Sequence, residues 1–467
     1  MGGLLVPSEC TLGQRRPAPA HPGFHDRAGL PVPDRDGHPL AAMGEIHTER
    51  ARIVAVLEQA LRPAVGARFF EAVRQAMGSA RLEPVSGRVD VRQLHVAQIG
   101  FFRDSQRRAP RELLEAWPSL VDVAEAAAAG GTRVSVIQAC DYEDRLVRNG
   151  VHYHFLPFGH RHATRAGWRA FQDLLSHIGP DALHVHGLGF SGELRRLSRA
   201  APALPILVQD HASRLPRFWR RPHWRRGLAV ASGFAFCARG QAEPFVQASL
   251  IPERARLFEI PESTSRFGYG DRTEARRLTG LEGEPAVLWV GHLDENKDPL
   301  SVLRGVSAAT SRLPGLQLWC CFGKGALLAD VHSCIEKDSR LSGRVRLLGC
   351  VPHERIELLM RAADLFVLGS HREGSGYSLI EALACGLPPA VTDIPSFRAL
   401  TGNGIVGRLW PCGDSASLAE ALVDLAMRPT HDLRRQVRRH FEAELSFPAL
   451  GRKLATAYSA ISAYAGR

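Results

Sequence analysis

Two glutamates separated by seven residues, Glu373 and Glu381, enclose the run Gly374-Ser375-Gly376-Tyr377-Ser378-Leu379-Ile380. The apolar segment 364–368 before them reads as a strand and 378–385 as a helix, so Glu373 falls in a strand-to-helix loop at the carboxyl edge of a sheet. Gly374 and Gly376 let backbone N–H groups approach a ligand closely, and a helix beginning near Tyr377 points its positive end at the same place. Such a corner suits a phosphate or a polyhydroxyl ligand. Glu381 is the only charged residue between Ser378 and Ala384. A carboxylate among those apolar neighbours needs a partner, because burying it alone costs several kcal/mol. Ligand hydroxyls would serve. The plainer alternatives are a solvated loop acid at Glu373 and a buried ion pair at Glu381.

A second corner is Val290-Gly291-His292-Leu293-Asp294-Glu295-Asn296-Lys297-Asp298-Pro299-Leu300, where the pattern passes from strand to helix. Lys297 there can meet a diphosphate as a point charge, and Gly291 permits close backbone approach. The alternative is a surface lysine at a helix start. His292 contributes charge only if its surroundings keep it protonated near neutral pH. In the first half of the chain, His186 ends the segment Pro180-Asp181-Ala182-Leu183-His184-Val185-His186, and His211 follows Val208-Gln209-Asp210. Histidines at strand ends either face a ligand or are satisfied by backbone groups.

The stretch from Arg214 to Arg226 carries six arginines and three aromatics and no acid. Arg220, Arg221, Trp224 and Arg225 are its candidate contacts to an anionic membrane surface or a phosphorylated acceptor, since guanidinium forks grip phosphate and tryptophan favours the interface. A basic loop ordered against the protein's own acids is the alternative. Arg434, Arg435, Arg438 and Arg439 recur at helical spacing and read as a solvated face. Gly323-Lys324-Gly325 lacks the third glycine and downstream acid of a dinucleotide fingerprint.

The elements that must position these residues follow from the wider pattern. The chain has 467 residues, 45% of them hydrophobic and 23% charged, with a formal net charge of +11; this excludes a disulfide miniprotein, a coiled coil and a wholly disordered chain. The charge favours polyanionic or phosphorylated partners, and no motif of a nucleic-acid-binding module accompanies it. Nine cysteines without a CxxC pair fit a reducing cytoplasm and no structural zinc. Residues 1–45 are rich in proline and glycine and read as a disordered leader, and 46–84 as a helical extension. Strand and helix patterns then alternate twice, over 85–268 and over 269–448, with a last helix over 449–467 expected to pack back on the first domain. Alternation of this kind gives parallel βαβ units, hence an α/β fold of two doubly wound Rossmann-like domains with a cleft at the carboxyl ends of their strands.

The Glu373–Glu381 spacing followed by Ala-x-Ala-x-Gly resembles the signature of the retaining nucleotide-sugar glycosyltransferases of GT-B fold, the large group-1 family. The resemblance covers roughly residues 90–465 and is strongest in the second half. It implies that Glu373, with the amides of Gly374, Ser375, Gly376 and Tyr377, holds the donor sugar, and that Glu381 binds the nucleotide ribose. Gly291, His292 and Lys297 correspond to the Gly-Arg-Leu…Lys element that clamps the diphosphate. His292 replaces the arginine, so that part of the leaving-group charge falls to Arg266 or another cation. The active-site histidine maps onto His211, with His186 the competing candidate. Glu262-Ser263 stands where Asn-Gly is usual. The implied reaction is transfer of a hexose from a nucleoside diphosphate sugar to a glycan, lipid-linked or small-molecule acceptor, without cofactor or metal, in the cytoplasm or at the inner membrane face. An epimerase or hydrolase on the same fold, or a sugar-nucleotide-binding protein without turnover, are the rival expectations.

Overall fold

The computed structural model describes residues 93–158 and 164–465; the expected leader (1–45) and helical extension (46–84) lie outside them. The first sheet contains β1 (His95–Gly100), β2 (Arg133–Ala139), β3 (Asp144–Arg148), β4 (Val151–Leu156), β5 (Ala182–His186), β6 (Ile206–Gln209), β7 (Gly233–Phe236) and β8 (Arg256–Glu259), in the order β3-β4-β2-β1-β5-β6-β7-β8. Every neighbouring pair is parallel except β3 with β4. The β1 strand is buried along its whole length and β2 at all but its first residue, as helices on both faces of a parallel sheet require. Strand β3 is an edge strand with no fully buried residue, and nothing in its sequence, Asp144-Arg145-Leu146-Val147-Arg148, gives an apolar face from which to expect it.

The second sheet contains β9 (Ala286–Val290), β10 (Gln317–Cys321), β11 (Val345–Gly349), β12 (Leu365–Leu368), β13 (Pro389–Thr392) and β14 (Arg408–Trp410), in the order β11-β10-β9-β12-β13-β14, parallel throughout. Both sheets reverse winding direction beside their first strand, between β1 and β5 and between β9 and β12. Loops leaving such adjacent strands diverge to opposite faces and open a crevice at the carboxyl edge. The two stretches of greatest chemical interest leave β9 and β12.

The helix Phe447–Ala465 packs along Pro118–Ala129, a first-domain helix. Two glycines permit the crossing: a β-carbon on Gly451 would stand 2.3 Å from the carbonyl oxygen of Ala126, and one on Gly130 would meet the Gly451 backbone at 2.5 Å. This helix buries Leu454, Tyr458 and Ile461 in the first domain's core, each large apolar side chain contributing about 1.5–3 kcal/mol.

Two readings of the arginine-rich segments are corrected. Arg434 is not on a solvated face: it is 3% exposed, and its guanidinium donates to the carbonyls of Ala363, Arg361 and Cys385. Those carbonyls end the helices His353–Ala362 and Tyr377–Ala384, where no helical N–H remains to serve them. Arg435 and Arg439 are exposed. In the stretch 214–226, a short 3-10 turn (Phe218–Arg220) leads into a helix, Arg221–Leu228. Trp224 of that helix is 8% exposed and belongs to the first domain's core, so it offers no surface contact. Gly227 brings the helix onto Ser191, which a β-carbon would meet at 2.3 Å.

Candidate functional site

The loop after β9 is shaped by its own acids. The Asp294 side chain accepts from the Lys297 amide at 2.9 Å, and Asp298 takes a left-handed conformation (φ 48) while capping the helix Pro299–Ala309 through the Ser301 amide. This turn directs Lys297 inward. The ammonium is buried and pairs with the carboxylate of Glu373, so the two residues singled out separately in the sequence meet at one point. The loop after β12 is fastened to the same turn: the Asn296 side chain donates to the Arg372 carbonyl at 3.0 Å, and the His371 amide donates to the Asn296 carbonyl at 2.8 Å. Gly369 permits this approach, since a β-carbon there would lie 2.9 Å from the Lys297 carbonyl oxygen.

Gly291 has ordinary room around it, the nearest atoms to an added β-carbon being 3.6 Å away, so the protein itself does not require glycine there. His292 is half-buried, and its Nδ1 accepts from the Lys324 amide at 3.2 Å. Burial and then the Lys297 ammonium hold its pKa below the usual histidine value; it therefore stands as a neutral imidazole with Nε2–H free to donate. The cations near it are Lys297 and Lys324. Arg266 is not among them. It binds Asp122 at 3.2 Å and Glu125 at 2.7 Å and lies over the Phe447 ring, which removes it from the diphosphate role.

Past Glu373 the loop is held from the first domain. Gln241 donates to the carbonyls of Glu373 and Gly374 at 2.8 and 2.9 Å. Glu262 and Ser375 exchange two hydrogen bonds, the Glu262 amide to Ser375 Oγ at 2.9 Å and the Ser375 amide to Glu262 Oε1 at 3.1 Å. Gly374 makes room for this carboxylate, which would lie 2.4 Å from a β-carbon at that position. The Ser375 amide expected to hold a donor sugar is thus already engaged. Gly376 (φ 66) turns the chain into the helix Tyr377–Ala384, and Tyr377 lies at its exposed start.

Glu381 is half-buried rather than enclosed by core; its carboxylate meets His353 Nε2 at 2.6 Å. His353 stacks beside Phe267 and its pKa is raised, chiefly by the hydrogen bond to Glu381. On the first domain, His186 Nδ1 and His211 Nε2 are 3.0 Å apart, and His211 Nδ1 lies 2.6 Å from the other oxygen of Glu262. Burial pushes the His211 pKa down, but the charge and hydrogen bond of Glu262 outweigh it, leaving a net upward shift. His186 is driven well below the ordinary value by burial and by His184 and His211. His184 bonds the Tyr458 hydroxyl at 2.8 Å and is held down to about 3 by burial and by His211.

The structure therefore brings together Lys297, Glu373, Gly374, Ser375 and His211, with His186 behind His211 and His292 beside Lys297. Glu381 reaches the same helix from its second turn. Arg220, Arg221 and Arg225 belong to the turn 218–220 and the helix 221–228, where Arg221 donates to the carbonyl of Pro216 and Arg225 to those of Ser249 and Ala248. Sequence reasoning missed Gln241, His353 and Gly369 as parts of the site, while Glu262 and Lys324 lay in segments it had singled out without a role for either side chain. The signals were the departure of Glu262 from the usual Asn-Gly and the place of Lys324 between Gly323 and Gly325. A cavity of about 490 Å³ lined by Gln93, Glu125, Arg133 and Phe447 opens at the amino ends of β1 and β2, the opposite edge of the sheet from His186.

Residues 271–440 match the family described as Glycosyl transferases group 1. A D-inositol 3-phosphate glycosyltransferase of Rhodococcus erythropolis is 33% identical over 199 residues, 41% of this chain and 45% of that protein. A GDP-mannose:cellobiosyl-diphosphopolyprenol alpha-mannosyltransferase of Xanthomonas campestris is 26% identical over 239 residues, 48% of this chain and 60% of that protein. The chain thus spans about half the length of the curated relatives it matches. Anabaena Alr3699/HepE in complex with UDP superposes with a TM-score of 0.58 at 16% identity, covering 79% of this chain and 100% of that one. The two-sheet arrangement is the GT-B architecture.

Proposed function

With residues 271–440 a group-1 glycosyl transferase domain, we propose that the protein transfers a hexosyl group from a nucleoside diphosphate sugar to an acceptor hydroxyl with retention at the anomeric carbon. The observation that carries this reading is the convergence of Lys297 and Glu373 from adjacent strands β9 and β12, at the start of the helix that carries Glu381. In this mechanism the bond from the anomeric carbon to the diphosphate breaks first, and charge grows on the departing oxygen. Lys297 and the Nε2–H of His292 meet that charge where it develops, which is how fixed donors lower a barrier. Glu373, released from Lys297 as the diphosphate arrives, accepts hydrogen bonds from sugar hydroxyls, and Glu381 accepts from the ribose. The acceptor oxygen then bonds to the anomeric carbon from the face the diphosphate leaves, and the acceptor proton passes to the departing phosphate. No covalent enzyme intermediate is needed, and the counter-charge is assigned to Lys297 rather than to a metal ion. His211, at the carboxyl end of β6, faces the acceptor side.

A lipid-linked phosphate acceptor met at the inner face of a membrane is the acceptor class this reading favours. It is supported by exposed Phe218 and Trp219 among arginines, and no helix among the described residues is long and apolar enough to cross a membrane. The test is nucleotide release from UDP-glucose, GDP-mannose and their UDP and GDP analogues, with and without lipid-diphosphate and soluble acceptors. Product anomeric configuration is read by NMR. Acceptor-dependent release with retention is expected. Release that ignores the acceptor points to a hydrolase, an isomerised donor to an epimerase, and tight binding without release to a sugar-nucleotide-binding protein.

A further inference from the structure

Glu262 is the one carboxylate among the described residues that touches both His211 on the first domain and the Gly374-Ser375 loop on the second. Its two oxygens are divided between them: Oε2 lies 2.6 Å from His211 Nδ1 and Oε1 accepts from the Ser375 amide at 3.1 Å. The side chain is fixed from its own backbone too, because the Glu262 amide donates to Ser375 Oγ. Both ionisable partners are largely buried, with side chains 13% and 9% exposed for His211 and Glu262. With a carboxylate oxygen that close, the proton of His211 belongs on Nδ1, where it meets a negative charge rather than opposing a lone pair. The remaining nitrogen of His211 then faces His186 Nδ1 at 3.0 Å.

Resting on the glycosyl-transfer reading above, we infer that Glu262 is a positioning residue that sets the tautomer and protonation of His211 and ties that state to the donor-binding loop. A neutral residue here, such as the asparagine usual in the resembled family, could hold the loop but could not hold a charged histidine. Asp210 also acts on His211 through its charge, and His184 and His186 do so from β5. Tyr377 and Cys237 neighbour Glu262. None of these other acids reaches both the imidazole and the loop. When His211 is charged, the pair attracts and the loop is held by an anchored carboxylate. When His211 loses the proton on Nε2, its Nδ1–H still faces Glu262 as a neutral donor, so the carboxylate keeps both contacts and loses only its charge partner.

Glu262→Gln separates the two duties. The amide oxygen still accepts from Ser375, but the amide nitrogen now donates to His211 Nδ1, which forces the proton to Nε2 and withdraws the charge that favoured the imidazolium. In wild-type protein labelled with nitrogen-15 histidine, and assigned by comparison with His211→Asn, His211 is expected to titrate above the ordinary histidine value with the proton on Nδ1 in its neutral form. In Glu262→Gln the proton should move to Nε2 and the midpoint fall by about one unit, a tenfold change in the proton-binding constant. Turnover with whichever of UDP-glucose or GDP-mannose is active should fall about tenfold in kcat with KM within about threefold. Amide exchange over residues 373–376 should stay slow in Glu262→Gln and speed up in Glu262→Ala, which loses both contacts. An unchanged His211 titration and tautomer in Glu262→Gln, or an ordinary histidine titration in the wild type itself, overturns the inference. So does a KM that rises as far as kcat falls, the mark of a prop for the loop alone. Absence of turnover by the wild type with any nucleotide sugar would sink the transfer reading while leaving the NMR measurement to decide on Glu262.

Discussion

Lys297 and Glu373, 76 residues apart in the chain, close an ion pair in which neither side chain is more than a tenth exposed. The pair holds the β9 and β12 loops together before any substrate is present. It also means that an arriving diphosphate competes with Glu373 for the ammonium.

That competition has an unusual sign. Glu373→Gln removes the competing charge and leaves Lys297 free, so the affinity for UDP or GDP alone should rise, by about threefold to tenfold. Turnover should nevertheless fall sharply, because a neutral amide with one accepting oxygen holds the sugar hydroxyls more weakly than a carboxylate that accepts at both. Lys297→Ala should lose both, and it also leaves a buried carboxylate unpaired, destabilising the fold by about 3 kcal/mol. Calorimetry with UDP and GDP alongside urea unfolding separates the effects. A weaker nucleotide affinity in Glu373→Gln would place the diphosphate away from Lys297.

His292 gives a pH dependence. Its pKa lies below the usual value in the ligand-free protein, by burial and by Lys297, so it is neutral near pH 7. A diphosphate placed beside it favours the imidazolium and raises that pKa. Binding then takes up a proton, and the affinity for UDP-glucose, whose own charge is constant here, should rise as pH falls from about 8 to about 5.5. In His292→Arg the charge is permanent and the profile should be flat, at an affinity equal to or above the wild type's. A flat profile in the wild type would mean that His292 does not meet the diphosphate.

Glu381 is expected to report on the ribose. Glu381→Gln removes the charge that holds His353 and offers the sugar of the nucleotide a neutral amide in place of a carboxylate, so UDP and GDP should bind about tenfold more weakly while the fold is kept. If His353→Ala weakens binding as much, the carboxylate acts only once oriented by the histidine. Equal affinity in wild type and Glu381→Gln would take Glu381 out of the site.

Arg434 tests stability alone. Arg434→Met leaves the carbonyls of Ala363, Arg361 and Cys385 without their donor, and at about 1–3 kcal/mol for each such loss the fold should weaken by at least about 3 kcal/mol. Arg439→Ser, on the exposed side of the same helix, should shift the urea midpoint by less than about 0.5 kcal/mol in equivalent stability. Matching midpoints for the two variants would contradict the buried placement.

These cases mark how far the sequence could be read. Local pattern placed the strand before Glu373 at 364–368, one residue longer than β12, because a buried parallel strand can show its burial as an apolar run. It failed for β3, whose residues are exposed on both faces, and for Arg434, whose spacing matches that of Arg438 and whose burial depends on two helix ends packed against it. Glu373, Lys297 and His211 were each legible as chemistry at strand ends. Their partners were not: His353, Gln241 and Glu262 come from distant elements, and no local rule joins residues that only the closed arrangement of two sheets brings within hydrogen-bond distance.

The membrane question turns on which side chains of the stretch 214–226 are free. Trp224 is core and Arg225 holds backbone carbonyls of residues 248 and 249, so neither belongs in a test of surface contact. Phe218 and Trp219 are 73% and 58% exposed and meet edge to face, with the Arg217 guanidinium over the Trp219 ring. Arg214, Arg217 and Arg220 are exposed around them. An aromatic pair at the tip of a basic turn suits the interface of an anionic bilayer, where each arginine near the surface adds about 1 kcal/mol and the attraction fades over a Debye length of about 8 Å in physiological salt. The protein should therefore bind vesicles containing phosphatidylserine or phosphatidylglycerol and ignore phosphatidylcholine vesicles. Phe218→Ser with Trp219→Ser should abolish binding at any salt, because the apolar anchor is lost. Arg214→Ser, Arg217→Ser and Arg220→Ser together should weaken it at low salt and matter progressively less as salt rises. UDP and GDP affinity should be untouched in both variants, since neither alters the Lys297–Glu373 corner. Sedimentation of wild type and variants with the vesicles decides it: equal binding by all, or none by the wild type in low salt, would make this turn an ordinary basic loop and direct the search to a water-soluble acceptor.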